Sequence, residues 1–202
     1  MLMKTSQKLK TGTTTVGLTF KDGVILAADM KSTLGYLISS KTVQKVYAID
    51  DKIAVTTAGG SGDTQALIRI LRAEIQLYKL SRNAEFTVNA AKSLLSNILQ
   101  GVRYYPYMAM MLVGGVDKHG AHVFSVDPVG GAEPDRFAST GSGSPMAYGV
   151  LEDSYKPEMT REEAIDVARR AISAARERDI FSGGKGILVA AIDKSGMQFI
   201  EY

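Results

Sequence analysis

The chain has 202 residues, 45% of them hydrophobic and 22% charged, values that suit one soluble globular domain with a full core. It lacks the roughly 20-residue apolar run of a membrane span and the apolar segment of a secretory signal. With no cysteine it has neither disulfides nor thiolate chemistry, which is compatible with a cytoplasmic protein. The net charge of +3 comes from three lysines in residues 1–12, so the balanced remainder gives no reason to expect nucleic-acid binding.

Strands and then helices are predicted along the first half of the chain. Residues 1–12 are polar and aperiodic and are interpreted as an extension. From Thr13 to Phe20 apolar residues alternate with polar or small ones, and a turn at Lys21-Asp22-Gly23 leads into an apolar run. The predicted strands span residues 13–20, 24–29, 43–49 and 53–58. Apolar residues at helical spacing predict helices over 63–80 and 88–102.

Further strands surround one long helix in the second half. These predicted strands span residues 109–116, 122–126, 136–140, 186–193 and 197–202. Thr160 and Glu163 form a capping-box pattern that opens the helix, and Arg176 and Arg178 end it. Because hairpins rather than βαβ units connect the strands, the predicted fold class is α+β, with helices covering antiparallel sheets in one domain over 13–202.

Several common chemistries are excluded by motifs that the chain lacks. The run 183–186 has neither the spacing nor the hydroxyl residue of a phosphate-binding loop. His119 and His122 are the only histidines, and no Gly-x-Ser-x-Gly segment exists, so neither a histidine-rich metal site nor a Ser-His-Asp triad is predicted. We expect no metal and no other cofactor. Two glycine-serine runs, 59–62 and 141–144, precede helical stretches and allow tight turns or present backbone N–H groups to a substrate.

A threonine that becomes N-terminal provides a nucleophile without histidine. Its α-amino group has an ordinary pKa of about 7.7–8.0 and takes up protons near neutral pH. On the same residue as a hydroxyl, it activates a nucleophile that is otherwise too weak. Cleavage between Gly12 and Thr13 would create this arrangement, but the dipeptide alone carries little weight.

The hairpin after Thr13 predicts which polar groups lie near it. A three-residue loop over 21–23 would pair Thr15 with Asp29 and place Asp29 on the face of Thr13, whereas a one-residue slip would place it on the opposite face. A carboxylate that ends an apolar strand needs a cation or strong hydrogen-bond donors, and Lys45, which interrupts an apolar strand face, is a candidate for the cation. The alternative interpretation is a purely structural ion pair or a solvated strand end.

Several motifs, in the same order, resemble the archaeal-type proteasome β subunits. They are TTTVG from Thr13, KDGV from Lys21, AAD ending at Asp29, Gly59, SLLSNIL from Ser93 and LVGGVD from Leu112. The set continues with FASTGSGSPMAYGVLE from Phe137, AISAARERD ending at Asp179 and SGG from Ser182. Together they cover essentially all of residues 13–202.

The resemblance implies the fold of N-terminal nucleophile hydrolases, a four-layer αββα sandwich of two antiparallel sheets between helical layers. It implies a threonine endopeptidase whose nucleophile, Thr13, is released by autocatalytic cleavage after Gly12, with residues 1–12 as a propeptide. Lys45 would lower the effective pKa of the threonine hydroxyl, and Asp29 would orient Lys45.

The resemblance also implies supporting and substrate-binding roles. The residues expected to support the freed amine are Ser142, Asp179 and Ser182. The amide of Gly59 is expected to donate to the oxyanion. The residues expected to pair with the substrate backbone as an added strand are Thr33, Gly59 and Ser61. Those expected to line the side-chain pocket are Ser32, Val43, Tyr47, Thr57 and Gln65.

Members of this family assemble as heptameric β rings stacked inside α rings, with an ATPase ring that feeds unfolded polypeptide. The resemblance implies these partners, and neither nucleic acid nor a membrane. Two alternatives stay open. One is a non-catalytic ring component that keeps residues 1–12 for assembly. The other is the related bacterial two-component threonine peptidase, whose chains also start Thr-Thr, although the run 141–145 and the long C-terminal half favour the proteasome β type.

Overall fold

The computed structural model describes residues 12–202, so the predicted extension lies outside the described residues except for Gly12. The strands of the described part are β1 (Thr14–Phe20), β2 (Gly23–Asp29), β3 (Ser32–Leu34), β4 (Leu37–Ser40), β5 (Val46–Asp50), β6 (Ile53–Gly59), β7 (Ala109–Asp117), β8 (Gly120–Val126), β9 (Ala132–Asp135), β10 (Phe137–Gly141), β11 (Ile187–Asp193) and β12 (Gly196–Glu201). Its helices are α1 (Ser61–Arg82), α2 (Val88–Gly101), α3 (Ser144–Ser154) and α4 (Arg161–Arg178). Within residues 12–202, no helix is both long and apolar enough to cross a membrane.

Two five-stranded antiparallel sheets form the centre of the molecule. The first has the strand order β10-β1-β2-β11-β12, and the second has the order β5-β6-β7-β8-β9. A separate hairpin of β3 and β4 follows β2. Because β1 lies between β10 and β2, its first residues are held by pairing on both sides.

Three apolar layers hold the sheets and helices together. Leu26, Leu112 and Val123 belong to the layer between the two sheets. Ile25 belongs to the layer under α3 and α4, and Leu67 of α1 belongs to the layer that covers the second sheet. Ile25 and Leu26 are adjacent in β2 and fully buried on opposite faces, which explains the near-continuous apolar run of that strand. The predicted α+β class and the αββα sandwich are confirmed.

Helix α4 packs on the first sheet and positions Asp179 at its C-terminal end. The Glu163 N–H donates to Thr160 Oγ1 (3.3 Å) and the Thr160 N–H donates to Glu163 Oε2 (2.8 Å), which is the predicted capping box. Alanines on its inner face, such as Ala168, are fully buried and allow the helix to contact β1 and β2 closely. The helix ends at Arg178, so Asp179 follows as its C-cap.

The β1–β2 hairpin differs from the prediction in its register. Gly23 is the first residue of β2, and Thr15 pairs with Ala28, so the predicted pairing of Thr15 with Asp29 is wrong by one residue. At Gly23 a β-carbon would stand 2.0 Å from the carbonyl oxygen of Ile192. The glycine is therefore required by the close approach of β11, and the loop contains two residues rather than three.

Candidate active site

Thr13 is buried immediately before β1. Its N–H donates to the hydroxyl of Ser142 (3.2 Å), and its own hydroxyl donates to the carbonyl oxygen of Gly12 (2.6 Å). Gly141, the last residue of β10, has a φ of +97°, and a β-carbon there would lie 2.0 Å from the Thr13 carbonyl oxygen. Glycine at this position therefore lets β10 approach the candidate nucleophile closely.

Asp29 is fully buried at the end of β2, and each of its carboxylate oxygens accepts two hydrogen bonds. Oδ1 accepts from Lys45 Nζ (2.7 Å) and from the Thr14 N–H (2.9 Å). Oδ2 accepts from the N–H groups of Lys31 (3.1 Å) and Gly183 (2.8 Å). One cation and three backbone dipoles thus compensate the buried charge and fix the carboxylate in the direction of Lys45.

The predicted ion pair between Lys45 and Asp29 is therefore present. The predicted placement of Asp29 on the face of Thr13 is wrong, because the one-residue change in register places it on the opposite face. Desolvation lowers the pKa of Lys45 below its ordinary value, because it outweighs the attraction of Asp29, and the Lys31 cation acts in the same direction. A lysine with a lowered pKa is more often neutral and able to accept a proton near neutral pH. Lys45 lines the same small pocket as Thr13.

A second hydrogen-bond network supports Thr13 through its backbone nitrogen. Asp179 Oδ2 accepts from the hydroxyls of Ser142 (2.6 Å) and Ser182 (2.6 Å). The Ser182 hydroxyl also lies 2.6 Å from Thr14 Oγ1. All three residues expected to support the amine therefore belong to one chain of hydrogen bonds that ends on the Thr13 nitrogen.

A small pocket opens beside Thr13 and Lys45. The residues predicted for the side-chain pocket all line it, namely Ser32, Val43, Tyr47, Thr57 and Gln65. Gly59 and Ser61, expected to bind the substrate backbone, line it as well. Thr33 does not; its hydroxyl is buried on β3 and has no hydrogen-bond partner within residues 12–202.

Three residues that the sequence reasoning missed also line this pocket: Lys31, Gln44 and Thr64. Lys31 Nζ donates to the carbonyl oxygen of Ile180 (2.7 Å), and its charge acts on the pKa of Lys45. The signal that could have found Lys31 is its place two residues after Asp29, where the strand ends and the chain turns towards the pocket. Gln44 lies between Val43 and Lys45 in the chain, and Thr64 directly precedes Gln65, so neither carries a signal of its own.

Gly59 ends β6 in a backbone conformation that other residues rarely adopt. Its φ is +145°, and a β-carbon there would stand 1.9 Å from the carbonyl oxygen of Met108. The N–H of Gly60 donates to the same oxygen (2.7 Å), and the N–H of Thr57 donates to the carbonyl oxygen of Lys45 (2.9 Å). These contacts fix the Gly59 backbone in the wall of the pocket.

A larger cavity of about 570 Å³ lies at the other end of β6, among the turns that follow β5, β7 and β11. Its wall carries charges of both signs, and Lys79 is paired there with Asp50 (2.5 Å) and Asp51 (3.2 Å). None of the predicted site residues lines it, so its charges are separate from the chemistry around Thr13.

The fold and the site together define a class of protein. Two antiparallel sheets lie between helical layers, a threonine stands at the start of an inner strand, and a buried lysine–aspartate pair lies beside it. This is the architecture expected of an N-terminal nucleophile hydrolase. The chain belongs to the proteasome subunit family, since the family model described as "Proteasome subunit" matches residues 9–192.

Several archaeal proteins named proteasome subunit beta are similar to most of this chain. The one from Methanoregula boonei is 54% identical over 189 residues, which cover 93% of this chain and 88% of that protein. The one from Methanothermobacter thermautotrophicus is 50% identical over 181 residues, covering 90% and 86%. The one from Methanosarcina barkeri is 48% identical over 197 residues, covering 97% and 93%.

Proposed function

We propose that this chain is a catalytic β subunit of a proteasome core particle, a threonine endopeptidase that hydrolyses peptide bonds of unfolded proteins. The observation that carries the proposal is the position of Thr13. Its hydroxyl lies 2.6 Å from the carbonyl oxygen of Gly12, inside a pocket that also contains Lys45. The nucleophile, the bond to be cut first and a proton acceptor thus occur together.

The first reaction is cleavage of the chain's own Gly12–Thr13 bond. Thr13 Oγ1 adds to the Gly12 carbonyl carbon and gives up its proton, the C–N bond breaks, and the nitrogen takes a proton to become a free amine. Water then hydrolyses the resulting ester, leaving a carboxylate on Gly12 and returning a proton to the hydroxyl. Because the Thr13 nitrogen is an amide before this step and cannot serve as a base, Lys45 is the proton acceptor. Residues 1–12 are then a propeptide and residues 13–202 the peptidase domain.

Peptide substrates are cleaved by the same hydroxyl after maturation. Lys45, oriented by Asp29, increases the reactivity of the Thr13 hydroxyl, and the freed amine takes part in proton transfer. The Ser142–Asp179–Ser182 network holds that amine. The hydrogen bond from the Thr13 N–H to the Ser142 hydroxyl supports this role. An acyl-enzyme on Thr13 Oγ1 forms and is hydrolysed by water.

Substrate binding uses backbone groups and one side-chain pocket. The Gly59 amide donates to the oxyanion, a role for which its fixed backbone in the pocket wall is suited. Thr33, Gly59 and Ser61 pair with the substrate backbone as an added strand, which holds peptides with little dependence on sequence. The remaining lining residues, Ser32, Val43, Tyr47, Thr57 and Gln65, contact a substrate side chain.

The proposed assembly follows from membership of the family. The chain forms a ring with other β subunits, stacked against rings of α subunits, in the cytoplasm. A regulatory ATPase ring supplies unfolded polypeptide to the enclosed sites. The non-catalytic alternative has less support, because Thr13, Asp29 and Lys45 are all present and in contact or in one pocket.

The decisive experiment compares Thr13→Ala with Thr13→Ser in the full-length assembled protein. The wild type and the serine variant, which keeps a hydroxyl, are expected to have residue 13 at the N-terminus and to cleave peptides. The alanine variant is expected to keep residues 1–12 and to be inactive. N-terminal sequencing and a fluorogenic peptide assay measure both. Peptide hydrolysis by assembled Thr13→Ala, or an active wild type that still carries residues 1–12, would contradict the proposal.

A further inference from the structure

We propose that Phe181 restricts residue 12 to glycine, and so determines the specificity of self-cleavage separately from that of peptide cleavage. The inference rests on the proposed function, because it concerns the first cut made by Thr13. Phe181 lies between Asp179 and Ser182 in the chain but has no place in the chemistry described above. Its position relative to Gly12 gives it one.

The space beside Gly12 is filled by the backbone end of the Phe181 side chain. A β-carbon on residue 12 would stand 1.6 Å from Phe181 Cβ, 2.5 Å from Cγ and 2.9 Å from Cα. Cβ and Cα are fixed by the backbone, so no rotation of the phenyl ring relieves the overlap. Any residue other than glycine at position 12 must therefore shift one of the two backbones.

The backbone around Phe181 is tied down by the active-site carboxylates. Its N–H donates to Asp179 Oδ1 (3.2 Å), and the N–H of Gly183 donates to Asp29 Oδ2 (2.8 Å). The carbonyl oxygen of Ile180 accepts from Lys31 Nζ (2.7 Å). Since the loop is held at three points, the backbone of residue 12 is the one that moves. That movement displaces the scissile carbonyl from the hydroxyl that attacks it.

The side-chain pocket lies elsewhere. Its lining includes Thr13, Val43 and Tyr47 but neither Phe181 nor Gly12. A side chain on residue 12 would therefore point at Phe181 and not into the pocket that peptide substrates use. The site around Thr13 thus accommodates a side chain from an incoming peptide substrate but leaves no space for one on residue 12 of its own chain.

The test is a set of full-length variants followed by intact mass during assembly, which measures the rate of cleavage between residues 12 and 13. Gly12→Ala is expected to slow cleavage by about 100-fold, the usual consequence of displacing a reacting group by about 1 Å. Adding Phe181→Gly removes Cβ and Cγ and is expected to recover about tenfold of that loss. Adding Phe181→Ala instead keeps Cβ at the clashing position and is expected to recover nothing.

The outcomes separate this inference from the proposed function. If the wild type is cut and Gly12→Ala is cut as fast, or if the glycine and alanine double variants are equally slow, the inference is wrong and the function stands. If the wild type is not cut at all, both fail. Peptide hydrolysis per cleaved chain provides a measurement that does not depend on the double variants. Cleavage removes residue 12, so the cleaved Gly12→Ala chain is chemically identical to the cleaved wild type. A lower activity per cleaved chain would mean that the substitution damaged the fold, and would also overturn the inference.

Discussion

Replacing Asp29 by asparagine tests whether the buried carboxylate is as essential as its contacts imply. The substitution preserves the shape of the side chain but removes its charge and replaces one oxygen by an NH₂ group. Oδ1 faces Lys45 Nζ (2.7 Å) and Oδ2 faces the Gly183 N–H (2.8 Å). Because donors face both oxygens, either orientation of the amide places its NH₂ against two of them.

The expected loss of stability follows from these contacts. Two donors left without an acceptor cost about 1–3 kcal/mol each, and Lys45 loses the only charge paired with it in the described structure. Removing one partner of a buried ion pair costs about 3–5 kcal/mol, so we expect a loss of that size for Asp29→Asn. Without Asp29, the pKa of Lys45 falls further below its ordinary value, since the attraction that opposes desolvation is gone.

The matched control is Asp50→Asn, which removes a carboxylate from the ion pair with Lys79. That pair is partly exposed and Lys79 keeps a second partner in Asp51, so we expect a loss below about 1 kcal/mol. Urea unfolding of both variants and the wild type, at one protein concentration because assembly adds to the apparent stability, measures the difference. Equal losses for the two variants would refute the assignment of Asp29 as a buried charge that depends on its four partners.

Two further predictions concern the lysines of the pocket. Lys45→Arg keeps a cation beside Asp29 but replaces the amine by a guanidinium that does not release its proton, so the rates of self-cleavage and peptide hydrolysis should fall by about 10²–10⁴-fold. Lys79→Arg is the control. If Lys45→Arg cleaved itself and peptides at the wild-type rate, Lys45 would be excluded as the proton acceptor. Lys31→Gln removes a charge that lowers the pKa of Lys45, so the pKa of Lys45 rises. A smaller fraction of Lys45 is then neutral at a given pH, and the increase of activity with pH should occur at higher pH. A pH profile of peptide hydrolysis that moves to lower pH, or that does not move, would contradict this account of Lys31.

The sequence pattern was sufficient for the α+β class and for one ion pair, whereas the four-layer arrangement followed only from the resemblance to a family. In α4 the alanines at helical spacing are covered as their periodicity predicts, since Ala164, Ala168 and Ala171 are fully buried. In α1 the helical spacing places Tyr78 on the face of Ile75, but Tyr78 is 40% exposed, whereas Ile68 is buried. Near the end of a long amphipathic helix the tertiary contacts, and not the periodicity, decide which residues are covered.

The register of the first hairpin could not be predicted from the residues of the hairpin alone. Nothing within residues 20–24 distinguishes a turn glycine from one required by a neighbouring strand, and Gly23 is required by β11, which begins more than a hundred and fifty residues later in the sequence. The exposed hairpin of β3 and β4 was missed for a related reason. Leu37 and Ile38 are adjacent, so the sequence does not alternate between apolar and polar residues as that of a half-buried strand does. Both of them, and Leu34, are exposed in the structure.

The amine-supporting network could be predicted only through the resemblance to a family. Ser142 and Asp179 are 37 residues apart in the chain, and Ser142 is 129 residues from Thr13. Small polar residues at turns and helix ends are ordinary in any sequence. Only the fold, which places the ends of β10 and α4 beside the start of β1, shows that they converge on one nitrogen.

The loop over 179–183 connects features that would otherwise be independent. Asp179 holds the Ser142 and Ser182 hydroxyls, and the Gly183 N–H helps to fix Asp29, which in turn orients Lys45. The same loop presents Phe181 to Gly12. Because one short segment positions the amine network, the lysine and the residue before the scissile bond, a backbone shift there alters all three together. Substitutions of Asp179 or Ser182 should therefore impair self-cleavage and peptide hydrolysis in parallel, whereas substitutions in the pocket lining, such as at Val43, should change only the preference among peptides.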